Sequence, residues 1–167
     1  MRTTVTSYTI PQGDRGSYAT LRTMKRIVGE AMRDVPVLDA AKDLIRLSGG
    51  TNRLAQAQAI QEWMTDHVNF CRDPYGIETI HTPLFMLSRI REQGMFEADC
   101  DDYAVLSAAL AKAVGMRTKF VVLGFFGKKV PYAHVYTMAQ TEEGWMPFDR
   151  SFGLPPGSIT RRAYYEV

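Results

Sequence analysis

The chain has 167 residues, of which 46% are apolar and 23% are charged, and its formal net charge is +2. This composition predicts one globular domain with a sizeable core, and so small a charge, without a lysine and arginine cluster among aromatic residues, argues against nucleic-acid binding. Because the first residues lack the apolar stretch of a secretion signal and no apolar run reaches membrane-span length, we expect a cytoplasmic protein that does not act at a membrane.

Helical patterns dominate the first half of the chain. Ser17 is the predicted N-cap of a first helix that runs to about Met32, with one apolar face. Further helices are predicted at residues 35–47, from Thr51 or Asn52 to about His67, and at residues 83–90 with Thr82 as N-cap and Pro83 at the first position. One apolar face per helix is what burial against a core requires, so we interpret the first helices as a packing extension. The alternative is that they dock a partner or gate a substrate.

The second half of the chain begins with one more helix and then changes to strands. Residues 101–114 predict a helix with Gly115 as its stop, and Cys100 stands at its start. Strand patterns follow at residues 119–125, 132–140 and 145–149, with turns at Lys128-Lys129 and at residues 142–144. Helices followed by an antiparallel meander predict an α+β fold in which the helix after Cys100 packs on the sheet.

Cys100, His134 and Asp149 follow one another along the chain, each on its own predicted element. A thiol nucleophile, a general base and a carboxylate that orients the base can take this order, and such a set forms thioester intermediates. A helix N-terminus and a nearby imidazolium both favour the thiolate. Adjacent antiparallel strands bring His134 close to Asp149 if their register allows it, with His134 facing a cleft. The opposite, buried face of the strand is expected to hold Ala133, Val135 and Thr137.

The other cysteine and the other histidines are predicted to have structural roles. Cys71 has neither a helix start nor a matching motif, and two cysteines do not make a disulfide framework. His67 and His81 lack the short spacing to a second Cys or His that structural zinc sites show, so no metal site is predicted.

Three aspartates flank the predicted nucleophile. Asp99, Asp101 and Asp102 are predicted as caps and dipole partners of the helix start, with a cation site as the less favoured alternative. Their charge opposes the thiolate, so His134 would have to supply most of the activation. Asp102 is also a candidate for orienting a neighbouring loop or a substrate amine.

Several motifs together resemble those of the transglutaminase-like cysteine peptidase superfamily, which has a papain-like core. The motifs are Trp63-Met64-x-x-His67-Val68-x-Phe70, Arg72-Asp73-Pro74-x-Gly76-x-Glu78, Thr82-Pro83, Asp99-Cys100-Asp101-Asp102, Gly115-Met116-Arg117, His134-Val135 and Trp145-x-Pro147-x-Asp149. The chain is most similar to short stand-alone members encoded by bacteriophages and prophages. One departure is Ala98, where the family commonly has glycine.

The resemblance implies catalytic roles for Cys100, His134 and Asp149, and it implies no cofactor. It divides the chain into an N-terminal arm and helical extension at residues 1–53, a core at residues 54–157 and a C-terminal tail at residues 158–167. The second donor of an oxyanion hole is expected before the Pro83 helix, with Tyr75, Ile80 and His81 as open candidates.

The expected function is hydrolysis of an amide or peptide bond in a protein or peptide substrate, or acyl transfer to an amine, through a thioester. The residues do not decide between these two reactions, and similarity to small phage proteins favours the peptidase or amidase. The alternative is a non-catalytic virion or assembly component, since the N-terminal helices and the basic, proline-rich tail could dock onto phage structural proteins. Under either hypothesis the protein is expected in the host cytoplasm or in a virion.

Overall fold

The computed structural model describes residues 5–7, 9–49, 52–74, 77–125, 132–149 and 159–167. The helices in these residues are α1 (Asp14–Ala31), α2 (Val35–Ser48), α3 (Arg53–His67), α4 (Pro83–Gln93) and α5 (Cys100–Ala113). The strands are β1 (Val68–Phe70), β2 (Phe96–Ala98), β3 (Thr118–Phe125), β4 (His134–Thr141), β5 (Gly144–Phe148) and β6 (Ile159–Glu166). Helices come first and the main sheet comes after them, which confirms the predicted α+β fold.

The first helix buries the face that its sequence predicts. Leu21, Met24 and Val28 have at most 2% of their surface exposed, because their spacing places them on one side of α1. The helix begins at Asp14, before the predicted N-cap Ser17, and Gly13 precedes it with a positive φ of 68°. An extra turn therefore lies ahead of the position where the sequence predicts the helix to begin.

The caps of α3 and α4 follow the sequence signals. The Asn52 side chain accepts a hydrogen bond from the Ala55 N–H at 2.8 Å, and the Thr82 hydroxyl accepts one from the Phe85 N–H at 3.3 Å. Pro83 occupies the first turn of α4, where a missing N–H costs nothing. The other cap candidate for α3, Thr51, lies outside the described residues.

α5 is the central element of the molecule. It contacts the four other helices and also β2, β3 and β4. The predicted apolar residues Val105, Leu106 and Leu110 are completely buried, and so is Ser107 on another side of the helix. A helix that is buried all round must be surrounded by other elements, so α5 fixes the position of Cys100 within the fold.

The main sheet has the strand order β5-β4-β3-β6 and is antiparallel throughout. The meander of β3, β4 and β5 confirms the prediction, although the predicted turn at Lys128-Lys129 lies outside the described residues. β6 was not predicted as a strand. Within the segment that the sequence analysis separates as a tail at residues 158–167, β6 pairs with β3 at the edge of the sheet. The division of the chain into an extension, a core and a tail stays a prediction.

Two lysines hold the end of β6 against the helices. Lys25 of α1 donates a hydrogen bond to the Glu166 carbonyl at 2.9 Å, and Lys112 of α5 donates one to the Val167 carbonyl at 2.6 Å. Burial, together with the charge of Lys25, lowers the pKa of Lys112 from its ordinary value. The last strand is therefore tied to both the first helix and the central helix.

A second, smaller sheet joins β1 to β2 in parallel and was also not predicted. Phe70 is paired with Ala98, and the Cys71 N–H donates to the Ala98 carbonyl at 2.8 Å. This pairing places Phe70 beside the residues that lead into Cys100. None of the helices in the described ranges is long and apolar enough to cross a membrane.

Candidate active site

Cys100 is the first residue of α5, and Asp99 is its N-cap. One carboxylate oxygen of Asp99 accepts hydrogen bonds from the N–H groups of Asp101 at 3.2 Å and Asp102 at 3.4 Å. Asp99 is therefore the cap, because the geometry of a helix start gives this role to the residue before the first turn, and Asp101 and Asp102 lie in the first turn, the position predicted for dipole partners.

His134 is the first residue of β4, whose side chains alternate between two faces. Val135 and Thr137 are buried as predicted, whereas His134 shares the other face with Tyr136, and their ring centroids are 6.0 Å apart. Ala133 was predicted to be buried but is exposed, because it lies just before the strand.

The register of β4 and β5 brings Asp149 to His134. Thr137 is paired with Phe148, the last residue of β5, and Asp149 follows directly. The Nε2 atom of His134 lies 3.0 Å from Oδ1 of Asp149. The sequence could not determine this register, which the structure supplies.

Cys100, His134 and Asp149 all line one cleft, which is partly open to solvent. The other lining residues are mainly apolar or aromatic: Phe70, Ala98, Asp99, Tyr103, Val135 and Tyr136. The structure thus brings the three predicted residues together at one cleft.

His134 is hydrogen-bonded to Asp149, and it shares the cleft with Cys100. Burial lowers the pKa of its imidazole, but the hydrogen bonds to Asp149 and Cys100, together with their charges, outweigh burial and raise the pKa to about 9. Since Nε2 is bound to Asp149, Nδ1 is the ring nitrogen that remains for the thiol. This arrangement favours an imidazolium that can stabilise a thiolate.

Two hydrogen bonds connect the elements that carry these side chains. The Thr137 hydroxyl of β4 donates to the Ala104 carbonyl of α5 at 2.7 Å, one helical turn beyond Cys100. The Gln61 side chain of α3 donates to the Asp149 backbone carbonyl at 3.4 Å. Strand, helix and carboxylate are therefore fixed relative to one another.

Asp101 is buried beside the cysteine, with 1% of its surface exposed. No hydrogen-bond donor among the described residues reaches its carboxyl oxygens, so it can bond to the neighbouring Asp99 carboxylate only by carrying a proton itself. Burial first, and then the hydrogen bond and charge of Asp99, raise the pKa of Asp101 well above its ordinary value. These effects favour the neutral form of Asp101, which sequence reasoning missed.

A second histidine–aspartate pair was also missed. Oδ2 of Asp102 lies 2.7 Å from Nδ1 of His81, and Oδ1 accepts the His81 backbone N–H at 2.6 Å. This contact confirms that Asp102 orients a neighbouring loop. It also removes the His81 N–H as an oxyanion donor, Ile80 does not line the cleft, and Tyr75 lies outside the described residues. Within the described ranges, no group of three metal-ligating side chains converges.

Comparisons with known proteins identify the family and a similar fold. The family model of the transglutaminase-like superfamily matches residues 41–150. A crystal structure from Parabacteroides distasonis, described as a "putative protease", superimposes with a TM-score of 0.59 at 14% sequence identity. The match covers 80% of this chain and 26% of that one, so this chain spans about a quarter of the length of the solved structure. A comparison with curated proteins gave no match. On the family match over most of its length, the chain belongs to the transglutaminase-like superfamily.

Proposed function

We propose that the protein is a thiol-dependent hydrolase of amide or peptide bonds, with Cys100 as nucleophile, His134 as general base and acid, and Asp149 as the group that orients His134. The observation that carries the proposal is the imidazole of His134, which is hydrogen-bonded to Asp149 and lines the same cleft as Cys100, whose thiol helps to raise the pKa of the ring. A purely structural histidine does not need two such partners at a cavity wall.

In the proposed reaction, Nδ1 of His134 has already taken the thiol proton, and the sulfur of the Cys100 thiolate attacks the carbonyl carbon of the substrate. The Cys100 backbone N–H, at the start of α5, is placed to stabilise the oxyanion. The imidazolium then protonates the leaving amine, and a thioester remains on Cys100. Water attacks the thioester, His134 takes a proton from that water, and the carboxylic acid leaves with the thiol restored.

Asp149 holds the imidazole in the orientation that this reaction needs. Its carboxylate accepts a hydrogen bond from Nε2, so the neutral ring presents an unprotonated Nδ1 to the thiol. The role is one of tautomer and orientation, since the Asp149 side chain is only 14% exposed and remains bound to the ring.

We favour hydrolysis over transfer to an amine, with a protein or peptide as the substrate. The support is the description of the Parabacteroides structure and the small cleft, which leaves the thioester open to water. The phage origin that the sequence motifs imply, and with it any phage partner, stays a prediction.

The test compares the alkylation rates of the two cysteines of the chain. We expect iodoacetamide at neutral pH to alkylate Cys100 at least about tenfold faster than Cys71, because only Cys100 is paired with an imidazolium. His134→Ala should remove that advantage, and Cys100→Ser should abolish release of amine from a peptide-amide library while the protein stays folded. Equal alkylation of both thiols, or undiminished turnover by Cys100→Ser, contradicts the proposal. Appearance of an amine-conjugated product instead of free acid would assign transfer rather than hydrolysis.

A further inference from the structure

The three aspartates beside Cys100 raise a problem of charge. Each carboxylate next to a thiolate raises the free energy of the thiolate. The Asp99 carboxylate accepts hydrogen bonds from two N–H groups of α5, and burial favours the neutral form of Asp101. Asp102 remains, with a side chain that is only 2% exposed.

Both carboxylate oxygens of Asp102 are hydrogen-bonded to His81. Oδ1 accepts the backbone N–H of His81 and Oδ2 is bound to its ring. The His81 ring stacks on Phe85 of α4 at 5.4 Å between centroids and meets Phe96 of β2 edge-on at 5.2 Å. The pair is thus clamped between α4, β2 and the first turn of α5, the turn that carries Cys100.

The surroundings of the pair keep one proton on it. Among the described residues, the charged groups that act on His81 are all acidic: Asp102 and Asp99 at the start of α5, and Asp73 in the preceding loop. The neighbouring elements α4 and β2 present the uncharged rings of Phe85 and Phe96. With one proton shared between imidazole and carboxylate, the pair has no net charge, whichever of the two holds the proton.

The protonation equilibria agree in direction. The hydrogen bond to Asp102 raises the pKa of His81, against the opposing effect of burial. Burial raises the pKa of Asp102, against the opposing hydrogen bonds from His81. Both shifts favour retention of the shared proton at neutral pH.

We propose that His81 and Asp102 form a positioning pair for Cys100, which anchors the first turn of α5 and cancels the negative charge that Asp102 would otherwise place beside the thiolate. The inference rests on the proposed function in one respect, since it treats Cys100 as the reactive thiol. His81 and Asp102 act through Cys100 and are not assigned contact with the substrate.

The experiment measures the alkylation rate of Cys100 by iodoacetamide in a Cys71→Ser background, as a function of pH. His81→Gln keeps the backbone N–H that donates to Asp102 but removes the ring that can hold a proton, so the buried carboxylate keeps its negative charge and we expect a roughly tenfold slower reaction at neutral pH. The double variant His81→Gln/Asp102→Asn removes that carboxylate, and we expect its rate to return to within about threefold of the parent. His67→Gln, which changes a histidine at the end of α3, is the matched control and should react like the parent.

An electrostatic role and a purely structural role of the pair predict opposite alkylation rates for the double variant. A merely structural pair predicts that the double variant is as slow as His81→Gln or slower, and that result overturns the proposal, as does a parental rate in His81→Gln. If His134→Ala does not slow alkylation, the proposed function has failed. If His134→Ala slows it and His81→Gln does not, only the role of the pair has failed.

A measurement on the parent protein covers the case in which His81→Gln does not fold. Imidazole ¹⁵N NMR should show that His81 keeps its proton above the ordinary value of 6.5, with His67 as the reference signal in the same spectrum. Loss of the His81 proton below that value overturns the proposal.

Discussion

The two histidine–aspartate pairs of this protein contain the same two residue types but lie in different surroundings. His134 begins β4 and Asp149 directly follows β5, and both line the cleft, with side chains 17% and 14% exposed. His81 and Asp102 join a loop to the central helix, with side chains 30% and 2% exposed. The first pair leaves Nδ1 for a thiol, whereas the second uses Nδ1 for its own aspartate. A histidine–aspartate contact therefore does not by itself indicate a general base. The group next to the other ring nitrogen decides whether the histidine can act as one.

The sharpest test of this comparison exchanges the aspartate of each pair for asparagine. We expect Asp149→Asn to lower kcat/KM for amide hydrolysis by about 10³ to 10⁴, because an amide can stabilise the wrong imidazole tautomer. Asp102→Asn should lower it by at most about tenfold, since His81 does not face the thiol. Steady-state kinetics of both variants on one peptide amide decide the matter, with thermal unfolding as a control for folding. The reverse order of effects would exchange the roles of the two pairs.

The pH dependence of stability gives the second test. The pKa of His134 is raised from 6.5 to about 9, so its contribution is fully present below pH 6.5 and is lost as the pH rises through about 9. We expect the free energy of unfolding to fall by about 3 kcal/mol across this window, on the scale of 1.4 kcal/mol per pH unit.

Urea unfolding at both ends of the window measures this loss. His134→Gln should flatten most of the slope, and His81→Gln should remove a further part of the same sign, because the pKa of His81 is also raised. Stability that does not fall between neutral and alkaline pH in the parent protein would show that His134 gains no stabilisation from its partners.

The smallest effect separates the two aspartates next to Cys100 in the chain. Asp99→Ala removes the cap of α5 and should cost about 1 kcal/mol of stability. Asp101→Asn replaces a neutral acid by an amide of the same shape, so we expect a change within about 0.5 kcal/mol. Thermal unfolding compares them. A larger loss in Asp101→Asn than in Asp99→Ala would show that Asp101 is charged in the folded protein.

Local patterns predict most of the helices and the three-stranded meander, because caps, apolar faces and turn residues are properties of short segments. Local patterns do not predict the pairing of β1 with β2, because three-residue strands have almost no sequence pattern and their parallel pairing joins residues that are distant in the chain. β6 escapes them because Arg161-Arg162 and the preceding prolines suggest a solvated tail. What makes this segment a strand is the edge that β3 offers it.

The three site residues could be predicted because their order and their elements are visible in the chain, although their roles stay predictions. The state of the flanking acids could not be predicted in this way. Burial away from donors favours the neutral form of Asp101, and Asp102 contacts a histidine from a different part of the chain. Burial and contacts between distant elements arise only when the fold is complete, and no spacing rule encodes them.

The position of β6 has a consequence for how the molecule is made. β3 is the interior strand between β4 and β6, yet β6 follows all of the other strands in the chain. During synthesis from the N-terminus, the helices and the strand that bears His134 emerge while one edge of β3 still lacks its neighbour. The nascent protein therefore passes through a stage with an open sheet edge, and this stage ends only when residues 159–166 arrive and Lys25 and Lys112 secure them.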